Sequence, residues 1–419
     1  MLDILNYNQD LSKIFSRTQI GLESVEVAVK EIIANVRANG DKALIDYTKK
    51  FDNFDITADT MLVTKQEIED AKKQVDKKVV AALQRAKDNI VAYHKKQLLK
   101  DEVDGKTGTI FRAVEKAGIY IPGGKAAYTS SVLMCALPAV VAGVKEIIMV
   151  TPPGRYLNPL SLVAADLCGV HKIYKAGGAQ AIAALAYGTE TIPKVNVIAG
   201  PGNIFVTVAK KQVYGQVGID MIAGPSEILV IADNSANPKF IAADLLSQAE
   251  HDELAQSVLI TTSRDIANKV NEELVKQLTG LEKKEIAKKS LESYGAIVVC
   301  DNLTQAVELS NKIAPEHLEL CVDNPKALLK GIVNAGAVFL GNYSPEPLGD
   351  YYAGTNHVLP TSGTARFSSG LNVFTFTKRI SIIDYSRDDL TKVADDIISI
   401  ATVEELTAHA NSIRVRIEK

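Results

Sequence analysis

The chain has 419 residues, of which 47% are hydrophobic and 23% are charged, so it has enough apolar material for a folded core and is not a disordered protein. At about 100–200 residues per domain, this length predicts two or three domains. The formal net charge of −3 does not favour nucleic acid or anionic lipid as a partner, and no apolar run approaches the ~20 residues of a membrane span.

The first hundred residues are predicted to be helical. Residues 24–39 form an amphipathic pattern that stops at Gly40, and residues 64–99 form a long, Lys-rich pattern with regular apolar positions. The sequence pattern changes from helical to strand-like after Phe111. The sequence Gly118-Ile-Tyr-Ile-Pro-Gly-Gly124 predicts a short strand that runs into a Gly-rich turn.

Strands and helices then alternate in two series. The first series has predicted strands at 146–151, 172–175 and 195–199 and predicted helices at 160–167, 179–187 and 206–213. The second has predicted strands at 227–231, 257–261, 296–299, 318–322 and 337–340 and predicted helices at 240–250, 266–278, 304–313 and 325–333. Repeated βα units with apolar strands indicate parallel sheets covered by helices on both faces. The sequence therefore predicts two α/β domains of similar build.

The last part of the chain has two segments that differ in composition and in predicted structure. Residues 341–371 are rich in Gly, Pro, Ser and Thr and are predicted to form a long loop, which in a compact protein is usually functional or disordered. Residues 390–400 and 403–417 are predicted to be helices.

The spacing of the cysteines and the sequence of the N-terminus indicate in which cellular compartment the protein is expected. The chain has four cysteines, Cys135, Cys168, Cys300 and Cys321. They lie far apart without a C-x-x-C pair, so reduced core thiols are expected, with a disulfide framework or a thiolate zinc site as the alternative. Residues 1–15 do not have the pattern of a signal peptide. These features predict a cytoplasmic protein.

Two groups of residues could bind a metal ion. Gln248 and His251 lie at the end of a predicted helix, where an i, i+3 spacing places them on one face. An imidazole nitrogen beside an amide oxygen suits zinc or a similar divalent ion, although such residues also form capping or solvent-facing pairs. Asp350 and His357 fall in the predicted loop, where they are either turn residues or a further carboxylate and imidazole of the same site.

Glu316 and His317 are candidates for acid–base chemistry. They are adjacent between a predicted helix and a predicted strand, and we place them at a carboxyl-edge type of loop. A carboxylate and an imidazole can share proton transfers near neutral pH. The alternative is a turn that ends the helix and carries exposed polar side chains.

Gly-rich turns adjoin several predicted strands, at residues 121–124, 177–180, 200–203 and 224–227. Glycine there lets the backbone approach a ligand and expose its N–H groups. None of these turns completes the G-x-G-x-x-G dinucleotide pattern. The residues alone therefore predict a ligand cleft at the strand ends, without defining a cofactor.

Taken together, nine motifs resemble the histidinol dehydrogenase family. In chain order they are GIYIPGG, GGAQAIAALAYGTE, IAGPGN, GPSEILVIAD, DLLSQAEH, APEHLEL, GDYYAGTNHVLPT, GTARFSSGL and LTAH. The resemblance runs from about Phe111 to His409 and is weaker in the N-terminal helices. It implies two Rossmann-like parallel-sheet domains without the usual dinucleotide fingerprint, plus helical N- and C-terminal segments.

The resemblance also implies an activity, a partner and a set of site residues. The activity is a four-electron oxidation of L-histidinol through L-histidinaldehyde to L-histidine, with NAD and one Zn²⁺ per subunit, in a homodimer. The implied roles are zinc ligands for Gln248, His251, Asp350 and His409; acid–base residues for Glu316 and His317; further substrate contacts for Ser226, His357 and Glu404; and NAD contacts for Tyr120, Gln180 and Asn203. The resemblance implies that His409 and Glu404 are donated across the dimer interface. Of the implied zinc ligands and acid–base residues, Gln248, His251, Asp350, His409 and His317 are also implied to contact the substrate.

The resemblance implies a mechanism and a domain division. Zinc orients the substrate, His317 is the general base, Glu316 activates water, and no cysteine forms a thioester. The division is an N-terminal helical arm (1–25), a discontinuous α/β domain with most of the metal and catalytic residues (26–113 with 227–375), an α/β domain with the NAD loops (114–226), and a C-terminal segment that reaches the partner subunit (376–419). The alternatives are a zinc-dependent hydrolase and a non-catalytic small-molecule binding protein.

Overall fold

A computed structural model describes residues 2–15, 22–123, 128–154 and 157–418, with only the backbone described at residues 22 and 23. The end of the predicted GIYIPGG turn, Gly124, and parts of the predicted N-terminal arm therefore lie outside the described residues. The chain divides into two compact units, Met1–Leu98 with Val114–Phe376, and Leu99–Ala113 with Thr377–Lys419. Among the described residues, no helix is long and apolar enough to cross a membrane.

The elements are numbered here in chain order. The strands are β1 (Ile4–Asn6), β2 (Glu102–Asp104), β3 (Thr107–Ala113), β4 (Lys116–Tyr120), β5 (Glu146–Thr151), β6 (Lys172–Lys175), β7 (Val197–Ala199), β8 (Gly218–Ile219), β9 (Glu227–Ala232), β10 (Gln256–Thr261), β11 (Ala296–Val299), β12 (His317–Cys321), β13 (Ala337–Leu340) and β14 (Thr377–Ile383). The α-helices are α1 (Ser12–Phe15), α2 (Leu22–Asp52), α3 (Ala58–Met61), α4 (Lys65–Gln74), α5 (Lys77–Lys95), α6 (Thr129–Ala142), α7 (Pro159–Leu167), α8 (Gly178–Tyr187), α9 (Ile204–Val213), α10 (Pro238–Ala249), α11 (Arg264–Leu278), α12 (Lys284–Tyr294), α13 (Leu303–Ile313), α14 (Pro325–Leu328), α15 (Glu346–Tyr351), α16 (Arg387–Val403) and α17 (Thr407–Ile417).

The first sheet is parallel, with the strand order β6-β5-β4-β7-β8. Relative to its own first strand this is the order 3-2-1-4-5 of a Rossmann sheet. Successive strand residues face opposite cores: Ile119 packs with α6 and α7, and Tyr120 packs with α2, α8 and α9. Burial on both faces explains why the sequence of these strands is almost continuously apolar.

The second sheet has the order β1-β11-β10-β9-β12-β13 and is also parallel. Strands β9 to β13 repeat the 3-2-1-4-5 order. Helices α10 to α12 cover one face and α13 covers the other. The two α/β sheets with helical segments confirm the predicted fold class.

The N-terminus differs from the predicted helical arm. Ile4–Asn6 form strand β1, which pairs in parallel with Ile297–Val299 at the edge of the second sheet. A short apolar segment cannot form a stable helix alone, whereas an open sheet edge supplies its backbone hydrogen bonds.

The helices that follow differ from the prediction in detail. A kink at Gly40, with φ of 48°, lies inside α2, where the sequence predicts that the helix stops. The predicted long helix is two helices, α4 and α5, and the side chain of Asp76 caps the second. Helices α2, α4 and α5 pack on α6 to α9 of the first sheet. Their packing thus differs from the predicted grouping of residues 26–113 with residues 227–375, because their apolar faces complete the core of the first sheet.

The second unit contains an antiparallel sheet of order β14-β3-β2 and the packed helices α16 and α17. Ser386 caps α16, since its hydroxyl accepts the backbone N–H of Asp389 at 3.1 Å. The two helices confirm the helical C-terminal segment. All four cysteines, which lie in described parts of the chain, are free and buried, as predicted.

Candidate active site

The candidate acid–base residues lie at the amino edge of the second sheet. Strand β9 begins at Glu227 and strand β12 begins at His317, so Glu316 directly precedes a central strand. The predicted carboxyl-edge position of this loop is therefore wrong. A loop that leads from a helix into a parallel strand reaches the sheet at its amino end, because the helix returns the chain there.

Backbone and side-chain hydrogen bonds hold Glu316 against Glu227. The Glu316 carboxylate accepts the backbone N–H of Glu227 at 2.9 Å, and the Glu227 carboxylate accepts the backbone N–H of Glu316 at 3.1 Å. The second oxygen of Glu227 accepts the N–H of Ser362 at 2.5 Å. Glu227 is 2% exposed, and the sequence did not single it out, although it stands in the GPSE turn.

The same residue fixes the imidazole of His317. Nδ1 of His317 lies 2.9 Å from the backbone oxygen of Glu227. A carbonyl oxygen only accepts, so Nδ1 carries the proton and Nε2 keeps its lone pair. Nε2 is buried without a hydrogen-bond partner among the described residues. Burial lowers the pKa of His317 to about 3, helped by His357 and His251, so the ring is neutral near pH 7.

Carboxylates surround this imidazole. The Glu316 carboxylate lies 3.7 Å from Nδ1 of His317, and the Asp350 carboxylate lies 3.9 Å from Nε2. Asp350 also lies 3.7 Å from Nδ1 of His357, whose Nε2 contacts the hydroxyl of Ser131 at 3.3 Å. Burial lowers the pKa of His357 to about 4. Both imidazoles are thus neutral groups beside acidic ones.

Asp350 and a residue that the sequence analysis missed, Glu346, share helix α15. Ligand atoms of His317, Glu346 and Asp350 all lie within 4.8 Å of one another and could hold a metal ion. Burial, with the neighbouring Asp350, raises the pKa of Glu346 to about 8, and burial raises that of Asp350 to about 6. The signal in the sequence is the i, i+4 spacing of two acids, but the composition of residues 341–371 predicts a loop.

Gln248 and His251 lie where helix α10 ends. Gln248 is 1% exposed, and its side-chain oxygen has no hydrogen-bond partner among the described residues. His251 is exposed and lies in the turn after the helix. Its backbone N–H donates a hydrogen bond to the carbonyl of Gln248. The carboxyl of Glu346 interacts electrostatically with His251, which places His251 near α15.

The other predicted substrate and metal residues are more scattered. Ser226 is half-buried directly before β9. Glu404 ends α16 and His409 lies on α17; both side chains are exposed in the second compact unit. Their contribution to a partner's site stays a prediction.

The predicted NAD contacts all lie at the carboxyl edge of the first sheet. Tyr120 ends β4, and its hydroxyl accepts the N–H of Gly178 at 3.1 Å. Gln180 is buried in the first turn of α8, and Asn203 caps α9 while remaining exposed. The order of the strands reverses between β4 and β7, which is where nucleotide ligands bind in such sheets. Their role as NAD contacts stays a prediction.

A buried ion pair shapes the turn after β7. Lys210 and Asp220 form a salt bridge with both side chains at most 3% exposed. Lys210 donates to the carbonyl of Gly200 at 2.9 Å, and Asp220 accepts the N–H of Gly200 at 2.8 Å. Gly200 has φ of 121°, and a Cβ there would lie 2.2 Å from the carbonyl oxygen of Tyr120. Only glycine fits this position.

Two Rossmann-order sheets and a buried imidazole among carboxylates define an α/β enzyme with a candidate general base. Comparison with known proteins then identifies the family. The histidinol dehydrogenase family model matches residues 15–417, and the chain belongs to this family of oxidoreductases of histidine biosynthesis.

Relatives match over nearly the whole chain. The histidinol dehydrogenase of Clostridium acetobutylicum is 56% identical, over 99% of this chain and 100% of the relative. That of Caldanaerobacter subterraneus is 52% identical, over 99% of both. The crystal structure of histidinol dehydrogenase from Elizabethkingia anophelis matches with a TM-score of 0.95 at 40% identity, over 99% of this chain and 98% of that one. The resemblance seen in the motifs and the assignment as an oxidoreductase are thereby confirmed.

Proposed function

We propose that the chain catalyses the NAD-dependent oxidation of L-histidinol through L-histidinaldehyde to L-histidine, as a cytoplasmic homodimer that binds zinc. The observation that carries this proposal is the buried His317, whose Nδ1–H is donated to a carbonyl and whose Nε2 has no hydrogen-bond partner among the described residues. Such an imidazole can take a proton from an alcohol. Family membership supplies the substrate.

The residues present fit a zinc ion. The side-chain oxygen of Gln248 is buried without a partner among the described residues, and a carboxylate, Asp350, lies beside His317. Gln248, His251 and Asp350 would hold the ion, with His409 of the second compact unit reaching the partner's site. When bound, zinc would orient the substrate and lower the energy of an ionised alcohol.

His317 is proposed to act as base in both oxidation steps. Its Nε2 takes the hydroxyl proton of histidinol while a hydride leaves the carbon for NAD, which yields the aldehyde, NADH and a proton. The imidazolium that forms is stabilised by the carboxylates of Glu316 and Asp350, at 3.7 and 3.9 Å from its nitrogens. Burial opposes this charge, and the two nearby carboxylates would favour it.

Glu316 is proposed to activate water for the second step. Its carboxylate, held by the N–H of Glu227, orients a water molecule that attacks the aldehyde carbon. After His317 has released its first proton to solvent, the resulting hydrate loses a second hydride to NAD and a hydroxyl proton to His317. This gives the carboxylic acid, which ionises to the carboxylate by releasing a further proton to solvent. No thiol is needed, and burial raises the pKa of Cys168 to about 12 and of Cys300 to about 11, so these groups are poor nucleophiles.

The test mixes the purified protein with L-histidinol and NAD and follows NADH by absorbance, with and without a chelator. We expect two NADH per histidinol, loss of activity with the chelator, and recovery with zinc. A zinc hydrolase would instead cleave an ester or amide without NAD. A metal-replete dimer that forms no NADH would refute the proposed activity.

A further inference from the structure

Glu319 is a buried carboxylic acid that the proposed chemistry does not use. It lies on β12 two residues after His317, so both side chains point to the same face of the sheet. Its side chain is only 2% exposed. One of its oxygens, Oε1, accepts the backbone N–H of Glu346 at 2.8 Å. Glu346 is the first residue of α15, so Glu319 ties the strand of the candidate base to the helix that carries Asp350.

A second carboxyl, Asp244 on α10, lies against Glu319. The carboxyl groups of Asp244 and Glu319 interact, and each shifts the pKa of the other; because ionised carboxylates only accept, a hydrogen bond between them would need a shared proton. Consistent with this, Oε2 of Glu319 receives no bond from an amide or hydroxyl of the described residues. Burial raises the pKa of Glu319 well above its ordinary value, and raises that of Asp244 to about 6.

Asp244 also belongs to the face of α10 that carries a predicted ligand. It precedes Gln248 by four residues, about one helical turn, so the two share a face. Between them, Ser247 contacts the carboxyl of Glu346 through its hydroxyl at 3.4 Å. Helix α10 and helix α15 are therefore linked twice, once through Ser247 and once through Asp244 and Glu319.

We propose that Glu319 and Asp244 are positioning residues that hold α10, β12 and α15 together at the metal site. The three elements carry Gln248, His317 and Asp350 respectively, whose side chains come from distant parts of the sequence. A helix as short as α15 is not stable by itself, so its position depends on contacts with its surroundings, and the buried acceptor on its first N–H is one of them. This inference rests on the proposed function, because the pair would position residues of the proposed metal site.

The experiment measures Co²⁺ binding to the metal-free full-length protein, by visible absorption and by competition with a chelator. We expect Glu319→Ala to weaken Co²⁺ affinity by about 10–100-fold and to change the absorption spectrum. Glu319→Gln keeps an acceptor for Glu346 and gains a donor for Asp244, so it should restore affinity to within about threefold. The matched control is Ser290→Ala, which removes another buried hydrogen bond of the same sheet region, to the carbonyl of Ala255, away from the site.

Each outcome bears on the proposal. A Glu319→Ala protein with wild-type affinity and spectrum, but lower thermal stability, overturns it. If Glu319→Ala does not fold, Asp244→Ala takes its place with the same expectation. If the wild type itself binds no Co²⁺, the proposed function has failed, and hydrogen exchange decides about the positioning pair: residues 346–351 must exchange faster in Glu319→Ala than in Ser290→Ala, and equal rates overturn the inference.

Discussion

Replacing Glu227 tests whether one buried carboxylate organises the acid–base residues. Its two oxygens accept the N–H groups of Ser362, at 2.5 Å, and Glu316, at 3.1 Å. Glu227→Ala removes both acceptors while the backbone bonds of residue 227 remain. A buried N–H that loses its acceptor costs about 1–3 kcal/mol, so the free energy of unfolding should fall by about 2–6 kcal/mol. Glu227→Gln keeps one acceptor oxygen and should cost about 1–3 kcal/mol.

Urea denaturation of the metal-free variants measures these differences, and NADH formation measures the activity of the metal-loaded ones. We expect activity to fall in the same order, because displacement of Glu316 disturbs the adjacent His317. The control is Glu253→Ala, which removes an exposed carboxylate paired with Lys289 and should cost less than about 1 kcal/mol. If Glu227→Ala is as stable and active as Glu253→Ala, the organising role of Glu227 is refuted.

Three further predictions concern other parts of the molecule. His317→Ala should lower turnover by about 10²–10⁴-fold in the NADH assay; unchanged turnover excludes it as the base. Glu346 has a folded-state pKa near 8 against an ordinary value of 4.5, so the folded metal-free chain keeps a proton that the unfolded chain releases, and its stability should fall as pH rises from about 4.5 to 8. Glu346→Gln should flatten this fall between pH 6 and pH 8 in thermal melts, and an unchanged slope contradicts the assignment. Lys210→Met leaves the buried Asp220 unpaired and should destabilise the chain by about 3–5 kcal/mol in urea; a change below about 1 kcal/mol would show that the pair is dispensable.

The sheets could be predicted from the sequence because their strands are buried on both faces and are therefore apolar without interruption. The run of residues 227–232, all buried, is an example. Strand order could not be predicted, since it depends on which strands pair at long range. The same limit explains why β1 could not be predicted. The sequence of residues 4–6 does not indicate that they pair with strand β11.

The residues of the candidate site could be predicted where they belong to sequence motifs. They could not be predicted where their role depends on burial in the folded structure. Glu316, His317 and Asp350 could be named from motifs, and in the structure the carboxylates of Glu316 and Asp350 each lie within 4 Å of an imidazole nitrogen of His317. Glu346 and Glu319 could not, because an acid on a polar stretch and an acid on a strand both look ordinary until their surroundings are known. Their buried positions come from α15 lying against β12, which no local pattern describes.

The two sheets have the same strand order, but opposite edges of them carry the candidate site residues. The predicted cofactor residues lie at the carboxyl edge of the first sheet, and the acid–base residues lie at the amino edge of the second. The two edges meet where Ser131, in the first turn of α6, contacts His357, and where the N–H of Gly224 donates to the hydroxyl of Thr361 at 2.5 Å. A hydride acceptor bound at the first edge would thus face a base fixed at the second. Helix dipoles place positive potential at a carboxyl edge of this kind, and the amino edge here carries carboxylates. Under the proposed function, this arrangement would separate the site for an anionic cofactor from the site for a cationic amino alcohol.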